Sequence, residues 1–270
     1  MLPITFLSDY GAQDDFVGVC HGVIHEVAPG ATVIDLAHGL PASEIRPAAL
    51  VLRNTVPFLP KGVHLAVVDP GVGTARRPVA LRSVDGRFFV GPDNGLLSLA
   101  MVEAGGVDAA VDISDSRFRL EPVSATFHGR DIFAPVAARL ALGTTLEETG
   151  EAFAPADLVQ LELPVAEVSE GEIEACVIYV DRFGNAQLNV TRRQMDVAGL
   201  RPGTSLGVEI RGKRHQCMYG ETFGDVPQGG LIAYEDAYRT IALAVNRGAA
   251  ARVLELELDT PVRLVAQPSS

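Results

Sequence analysis

Little in this chain supports metal, disulfide or membrane chemistry. Cysteine occurs three times in 270 residues, as Cys20, Cys176 and Cys217. No CxxC spacing links them and any pairing leaves one over, so neither a disulfide framework nor a zinc cluster is expected, and a reducing cytoplasm is the compartment that fits. His21 and His25 stand four apart on a helical pattern, but no Glu lies between them at the HExxH position. Basic charge is scarce: 22 Lys and Arg against 34 Asp and Glu give a net charge of -12. That balance argues against a nucleic-acid partner and is compatible with a small or cationic ligand. No apolar run reaches membrane-spanning length, and the opening MLPITFLSDYG lacks the basic-then-apolar build of a signal peptide, so a soluble protein with no membrane partner is expected. The sequence has no internal repeat and no low-complexity tract.

What is present is a core. With 47% hydrophobic and 21% charged residues the composition is that of a globular protein. The first half alternates strand-like and helix-like segments. Strands are predicted at 3–7, 32–36 and 64–68, then at 79–81, 88–90 and 107–113. Helices carry Phe16, Val19, Cys20, Val23, Ile24 and Val27, then Ile45, Ala48, Ala49 and Leu52, then residues 131–142. This rhythm indicates an α/β, Rossmann-like domain with helices on the faces of its sheet. Residues 151–171, rich in Pro, Ala and acids, have no clean period. The division expected is an α/β domain over 1–155, a linker over 156–171 and a smaller domain over 172–270. The short Gly- and Pro-punctuated strands of that last part are read as a β-sandwich or barrel.

The stretch HLAVVDPGVGTARR (64–77) organises the first half. An unbroken apolar run ended by a carboxylate and a Pro-Gly turn is how a doubly buried strand delivers a polar residue to its carboxyl end, which in α/β sheets faces the ligand crevice. Asp69 and Arg76 lie seven apart across a Gly-rich loop that can fold back and pair them, either for chemistry or as a structural ion pair. The GVG of that loop has neither Walker nor GxGxxG spacing, so it is no phosphate cradle. Asp9 follows the first strand, where it can hold a ribose diol or simply start a turn. Asp14 and Asp15 are read as capping the first helix, Ser43 as capping the second and Asp131 the third. His128 stands at a helix entrance suited to chemistry, and His38 is ambiguous. In DRFGNAQLN (181–189), Asp181 can meet an ammonium, Phe183 a purine face and Asn185 its edge. The same residues also suit a hairpin turning at Gly184.

LSDYG with DDFVG, VVDPGVGT-A-R, GPDNG, FHGRDIFAP, YVDRFGNAQLN and AVNRG, in this order from residue 7 to 248, resemble the S-adenosyl-L-methionine hydroxide adenosyltransferases, hydrolytic relatives of the fluorinases and chlorinases. The resemblance implies an α/β N-terminal domain and a β-barrel C-terminal domain. It implies hydrolysis of S-adenosyl-L-methionine by water or hydroxide at the 5′ carbon, giving adenosine and L-methionine, with no cofactor and no metal. It also implies a homotrimer whose site lies between the N-terminal domain of one subunit and the C-terminal domain of the next. By resemblance Asp69, Arg76 and His128 are catalytic, with Arg76 fixing Asp69. Asp9 holds the ribose hydroxyls, Asp181 the methionine ammonium, and Phe183 with Asn185 the adenine. The halogenases carry other residues at the place of Asp69 and lack the His, which favours hydrolysis. Ala237 replaces the family's Ser at the methionine carboxylate, leaving backbone donors, Tyr238 or Arg239 to hold that group. Two other classes remain open: a metal-dependent hydrolase of a nucleoside-type substrate using Asp9, His38, Asp69 and His128, and a nucleoside-binding protein without turnover that needs Asp9, Phe183 and Asn185.

Overall fold

The computed structural model describes residues 1–267. The chain divides into two compact units, Met1–Leu161 and the segment from Glu162 onward.

In the first unit, β1 (Ile4–Ser8), α1 (Phe16–Val27), β2 (Val33–Ala37), α2 (Ile45–Thr55) and β3 (Val63–Val67) form the βαβ half. β4 (Pro78–Ser83), β5 (Phe88–Pro92), α3 (Ser98–Glu103), β6 (Val107–Asp112), α4 (Ala134–Ala141) and β7 (Glu151–Phe153) complete it. The seven strands lie in the order β2-β1-β3-β5-β4-β6-β7. Pairing is parallel from β2 through β5 and antiparallel from β5 through β7. β1, β2 and β3, linked through α1 and α2, run parallel; the short turn between β4 and β5 makes that pair antiparallel, and β7 returns antiparallel to β6 after α4.

Strand alternation decides which face each side chain meets. Ile4, Phe6, Val63, Leu65 and Val67 join one core with Cys20 and Ile24 of α1 and Val136 and Ala137 of α4. Leu7, Ala66 and Val68 join the other with Ala48, Ala49 and Leu52 of α2 and Ala100 and Met101 of α3. Every residue of β3 is buried, which is why its sequence reads as an unbroken apolar run. The one exception, His64, is fully buried and shares a hydrogen bond of 2.9 Å with Thr5 Oγ1 through its Nδ1. Burial first, then the nearby Arg87 charge, push its pKa down to about 4 from 6.5. The unfolded chain therefore takes up a proton near pH 6.5 that the native state refuses until about pH 4. Stability is complete above the first value and falls as pH drops toward the second, by up to about 3 kcal/mol. Urea unfolding at pH 7 and pH 4.5 should show this loss in the parent and a smaller one in His64→Val; equal losses would assign the acid sensitivity elsewhere.

The second unit is a barrel, as the resemblance implied. It comprises β8 (Glu167–Ser169), β9 (Glu172–Val180), β10 (Ala186–Thr191), α5 (Arg192–Val197), β11 (Thr204–Ile210), β12 (Lys213–Tyr219), β13 (Leu231–Glu235), β14 (Thr240–Val245), α6 (Ala250–Val253) and β15 (Pro261–Ala266). The order β10-β14-β13-β12-β11-β15-β9 closes because β10 also pairs with β9, and β8 is appended to β9. Closure removes the exposed edges an open sheet would carry. Inward residues such as Ile173, Val177, Leu188, Leu206, Val208 and Leu264 fill the interior.

Three capping expectations are corrected. Asp15 occupies the N-cap of α1 but makes no side-chain cap bond. The cap of α2 is Glu44, because Ser43 takes a positive φ of 65° that turns its N–H onto Asp9. Asp131 is inside a single π-type turn, Gly129–Phe133, that precedes α4; there it is buried, accepts the Ser124 N–H at 2.8 Å and pairs with Arg130 at 2.6 Å.

Candidate active site

The alternation of β3 carries past its end. Residues 63, 65 and 67 face α1 and α4, so Asp69 emerges on that same side, beside the π-type turn that presents His128. The loop from Pro70 to Arg77 folds back, with Thr74 Oγ1 donating to the Gly71 carbonyl at 2.7 Å. This return brings Arg76 onto Asp69. Its Nε donates to Asp69 Oδ1 at 2.9 Å and its Nη2 to Oδ2, a two-pronged pairing that fixes the carboxylate plane. Both side chains are under 8% exposed. Arg76 Nη2 also lies 3.1 Å from His128 Nδ1, and the guanidinium stacks 5.3 Å from the Phe133 ring. Asp69, Arg76 and His128 thus form one hydrogen-bonded set.

A guanidinium can only donate, so His128 Nδ1 must accept, and a neutral imidazole then carries its proton on Nε2. Burial first, then the Arg76 charge, lower the pKa of His128, which agrees with the neutral form. Arg76 and His128 border a cavity of about 430 Å³ that Thr74, Ser114, Arg119 and Val123 also line. A separate, mainly apolar cavity of about 160 Å³ between β4 and α3 contains none of the three.

Arg77, the neighbouring residue, has a different task. It pairs with Asp93 at 2.8 Å, donates to the Asp157 carbonyl at 2.6 Å and stacks on Phe153. Asn94 ties down the Val68 carbonyl at 2.9 Å, just before Asp69. GPDNG is therefore a buttress for the Asp69 loop.

Asp9 lies beyond β1 and accepts the Ser43 N–H at 2.8 Å through Oδ2. Next to it is Tyr10, which sequence reasoning missed. Its ring packs edge-on to Phe6 and Phe127, and its hydroxyl presses on Gly129 so closely that a Cβ there would sit 2.1 Å away. Burial first, then Cys20, Asp9 and Asp69, raise its pKa far above the usual phenol value, so the hydroxyl keeps its proton. His38 bonds Ser8 and Asp35 at 2.7 and 2.9 Å, and among the described residues no group of three or more His, Cys, Asp or Glu is arranged to hold a metal ion.

In the barrel unit, Asp181 knits the turn between β9 and β10. Its Oδ1 accepts the N–H groups of Phe183 and Asn185 at 2.8 and 2.9 Å, and its Oδ2 accepts Asn185 Nδ2 at 2.8 Å. Gly184 takes a φ of 81° at the turn, and a Cβ there would lie 2.6 Å from Ala249 Cβ. The hairpin and the candidate site are thus the same residues, with Phe183 65% exposed. Asp236 organises a second loop, accepting the N–H groups of Tyr238 and Thr240 on Oδ1 and Gln187 Nε2 on Oδ2. The Arg239 N–H goes to the Asp236 carbonyl. Three successive backbone donors after Ala237 are thereby consumed, and the Ala237 N–H with the Tyr238 and Arg239 side chains remain. Burial first, then the Asp236 and Asp181 charges, push the Tyr234 pKa up to about 12.

Comparison with known proteins finds matches over both units. Residues 4–150 match the model of the SAM hydroxide adenosyltransferase N-terminal domain, and residues 175–263 match that of its C-terminal domain. The chain is 46% identical to the (R)-S-adenosyl-L-methionine hydrolase of Salinispora arenicola, with 97% of each chain covered. It is 43% identical to the same-named protein of Thermus thermophilus, covering 98% of this chain and 100% of that one. An uncharacterized conserved protein from Thermotoga maritima superposes with a TM-score of 0.90 at 32% identity, over 97% of this chain and 99% of that one.

Proposed function

The chain belongs to the SAM hydroxide adenosyltransferase family, and from that premise we propose that it hydrolyses S-adenosyl-L-methionine, taking the (R)-sulfonium form named in its relatives, to adenosine and L-methionine. The observation that carries this reading is the single set made by Asp69, Arg76 and His128. The leaving group explains why so few residues suffice. As the water oxygen bonds to the 5′ carbon, the carbon–sulfur bond breaks and both electrons go to sulfur, releasing a neutral thioether that needs no general acid. What catalysis requires is water held in line, about 3–3.5 Å from the carbon, and shielded from competing solvent.

The donor and acceptor pattern assigns the parts. Asp69, held by Arg76 on one lone pair of each oxygen, has others with which to accept a water hydrogen bond and then the proton as the new bond forms. His128, with Nε2–H as its free donor, holds a lone pair of the same water and leaves the other for attack. Arg76 keeps both in place. Tyr10 walls the site as a protonated, half-apolar surface. Asp9 holds the ribose hydroxyls. In the barrel unit Asp181 receives the ammonium on its remaining lone pair, Phe183 stacks on the adenine, Asn185 meets its edge, and Arg239, 83% exposed and 3.6 Å from Glu235, takes the methionine carboxylate. The assembly that joins these two half-sites is a homotrimer, a closed ring in which each subunit lends one face to the next.

Incubation with preparations enriched in either sulfonium epimer, in ¹⁸O-labelled water, tests the reaction. Adenosine and methionine should form in equal amounts, faster from the (R) form, with the label in the 5′ hydroxyl. Bound adenosine without methionine release would replace hydrolysis by binding alone.

A further inference from the structure

His38 has no part in the hydrolysis proposed above, yet it is bonded to residues on both sides of Asp9. β2 pairs in parallel with β1, and a register shift after Phe6 sets Leu7 opposite Ala37, which leaves Ser8 beside His38. Ser8 Oγ lies 2.7 Å from His38 Nδ1, and the same hydroxyl accepts the Tyr10 N–H at 3.4 Å. The His38 carbonyl accepts the Gly11 N–H at 2.7 Å. Residues 8 and 11 are therefore bonded to His38 directly and residue 10 through the Ser8 hydroxyl, and Asp9 sits between these anchors.

Chemistry sets the direction of this chain. Asp35 Oδ1 lies 2.9 Å from His38 Nε2 and 2.9 Å from His21 Nε2. A carboxylate only accepts, so His38 Nε2 donates to it, and in the neutral imidazole Nδ1 must then accept from the Ser8 hydroxyl. That hydroxyl, having given its hydrogen to His38, can only accept from Tyr10. Every bond from the Tyr10 amide to Asp35 points the same way, and the carboxylate at the far end fixes the polarity. The ring is also wedged in place, 12% exposed on its side chain, with Phe6 edge-on at 4.7 Å. Ser8 is fully buried, which rules it out as a nucleophile for a substrate, although Ser, His and Asp are linked as in a hydrolytic triad.

We propose that His38, oriented by Asp35, is a positioning residue that sets Asp9 for the two ribose hydroxyls of the nucleoside. The inference rests on the reading of Asp9 given above. With His38 in place Asp9 needs no rearrangement to meet the diol; without it the 8–11 loop must be ordered by the ligand itself, at a cost in affinity.

The test compares adenosine with 2′,3′-dideoxyadenosine by calorimetry, and kcat with KM, in the parent, in His38→Phe, and in Asp35→Asn, whose half-exposed site spares the core. The parent should prefer adenosine by roughly 10-fold or more, the value of a charge-assisted hydrogen bond or two. His38→Phe should raise KM by about 10-fold, change kcat by about 2-fold or less, and bring the preference near unity; Asp35→Asn should fall between. His38→Asn, which can still accept from Ser8, should recover part of the preference. A preference retained in His38→Phe and Asp35→Asn overturns the proposal, because a merely structural loss lowers both ligands' binding alike. If the parent itself shows no preference, the role of Asp9 fails instead, and the proposal with it.

Discussion

Replacing Asp69 with Asn is expected to lower the rate of methionine release by about 10³-fold, within the range for losing a positioned proton acceptor. Adenosine affinity should change by no more than about threefold. The carboxamide keeps the shape, but Arg76 brings two donors to the side chain, and an amide offers one acceptor and one donor. One contact becomes donor against donor, and the water loses the group that takes its proton. His128→Ala should show the same division with a smaller fall, since Asp69 and Arg76 remain paired. Single-turnover kinetics give the chemical step and calorimetry with adenosine gives the binding. Equal losses in both would make Asp69 a binding residue and remove the mechanism proposed for it.

The second large effect is a recovery. In the proposed trimer Asp69→Asn disables the half-site on the α/β unit and Asp181→Ala the one on the barrel, so each homogeneous assembly should be close to inactive. Unfolded together in equal amounts and refolded, the two chains should regain about a quarter of the parental activity, because random ring assembly pairs an intact α/β half with an intact barrel half at one interface in four. Activity that stays at the level of the separate variants would place both half-sites in one chain or deny the trimer. Because Asp181 also ties its own turn together through three hydrogen bonds, circular dichroism must first establish that the variant barrel is folded.

What could be read without coordinates followed physical range. β3 announced itself because both its faces are covered, and Asp69 because a charge at the end of such a strand is anomalous. The pairing of Asp69 with Arg76, seven residues on, was legible as a possibility; its choice over Arg77 depends on Asp93 and Phe153, which are distant in sequence. Closure of the barrel was not legible, since a strand that bonds two partners has the same two-residue period as one that bonds a single partner. The caps misread at Ser43 and Asp131 share a cause. Both types favour helix starts locally, but Ser43 answers to Asp9 and Asp131 to Ser124 and Arg130, and tertiary partners outweigh a preference worth about 1 kcal/mol. Tyr10 was overlooked and His38 left ambiguous because their importance is entirely one of neighbourhood.

The facing of β3 has a consequence for how this scaffold can change. Odd positions look toward α1 and α4 and even ones toward α2 and α3, so the carboxylate reaches its partners only by parity. Insertion or deletion of a single residue between Val63 and Val68 would swing it to the opposite layer, among Leu52 and Met101, and leave Arg76 facing hydrocarbon. Length variation in this strand is therefore tolerable only in steps of two.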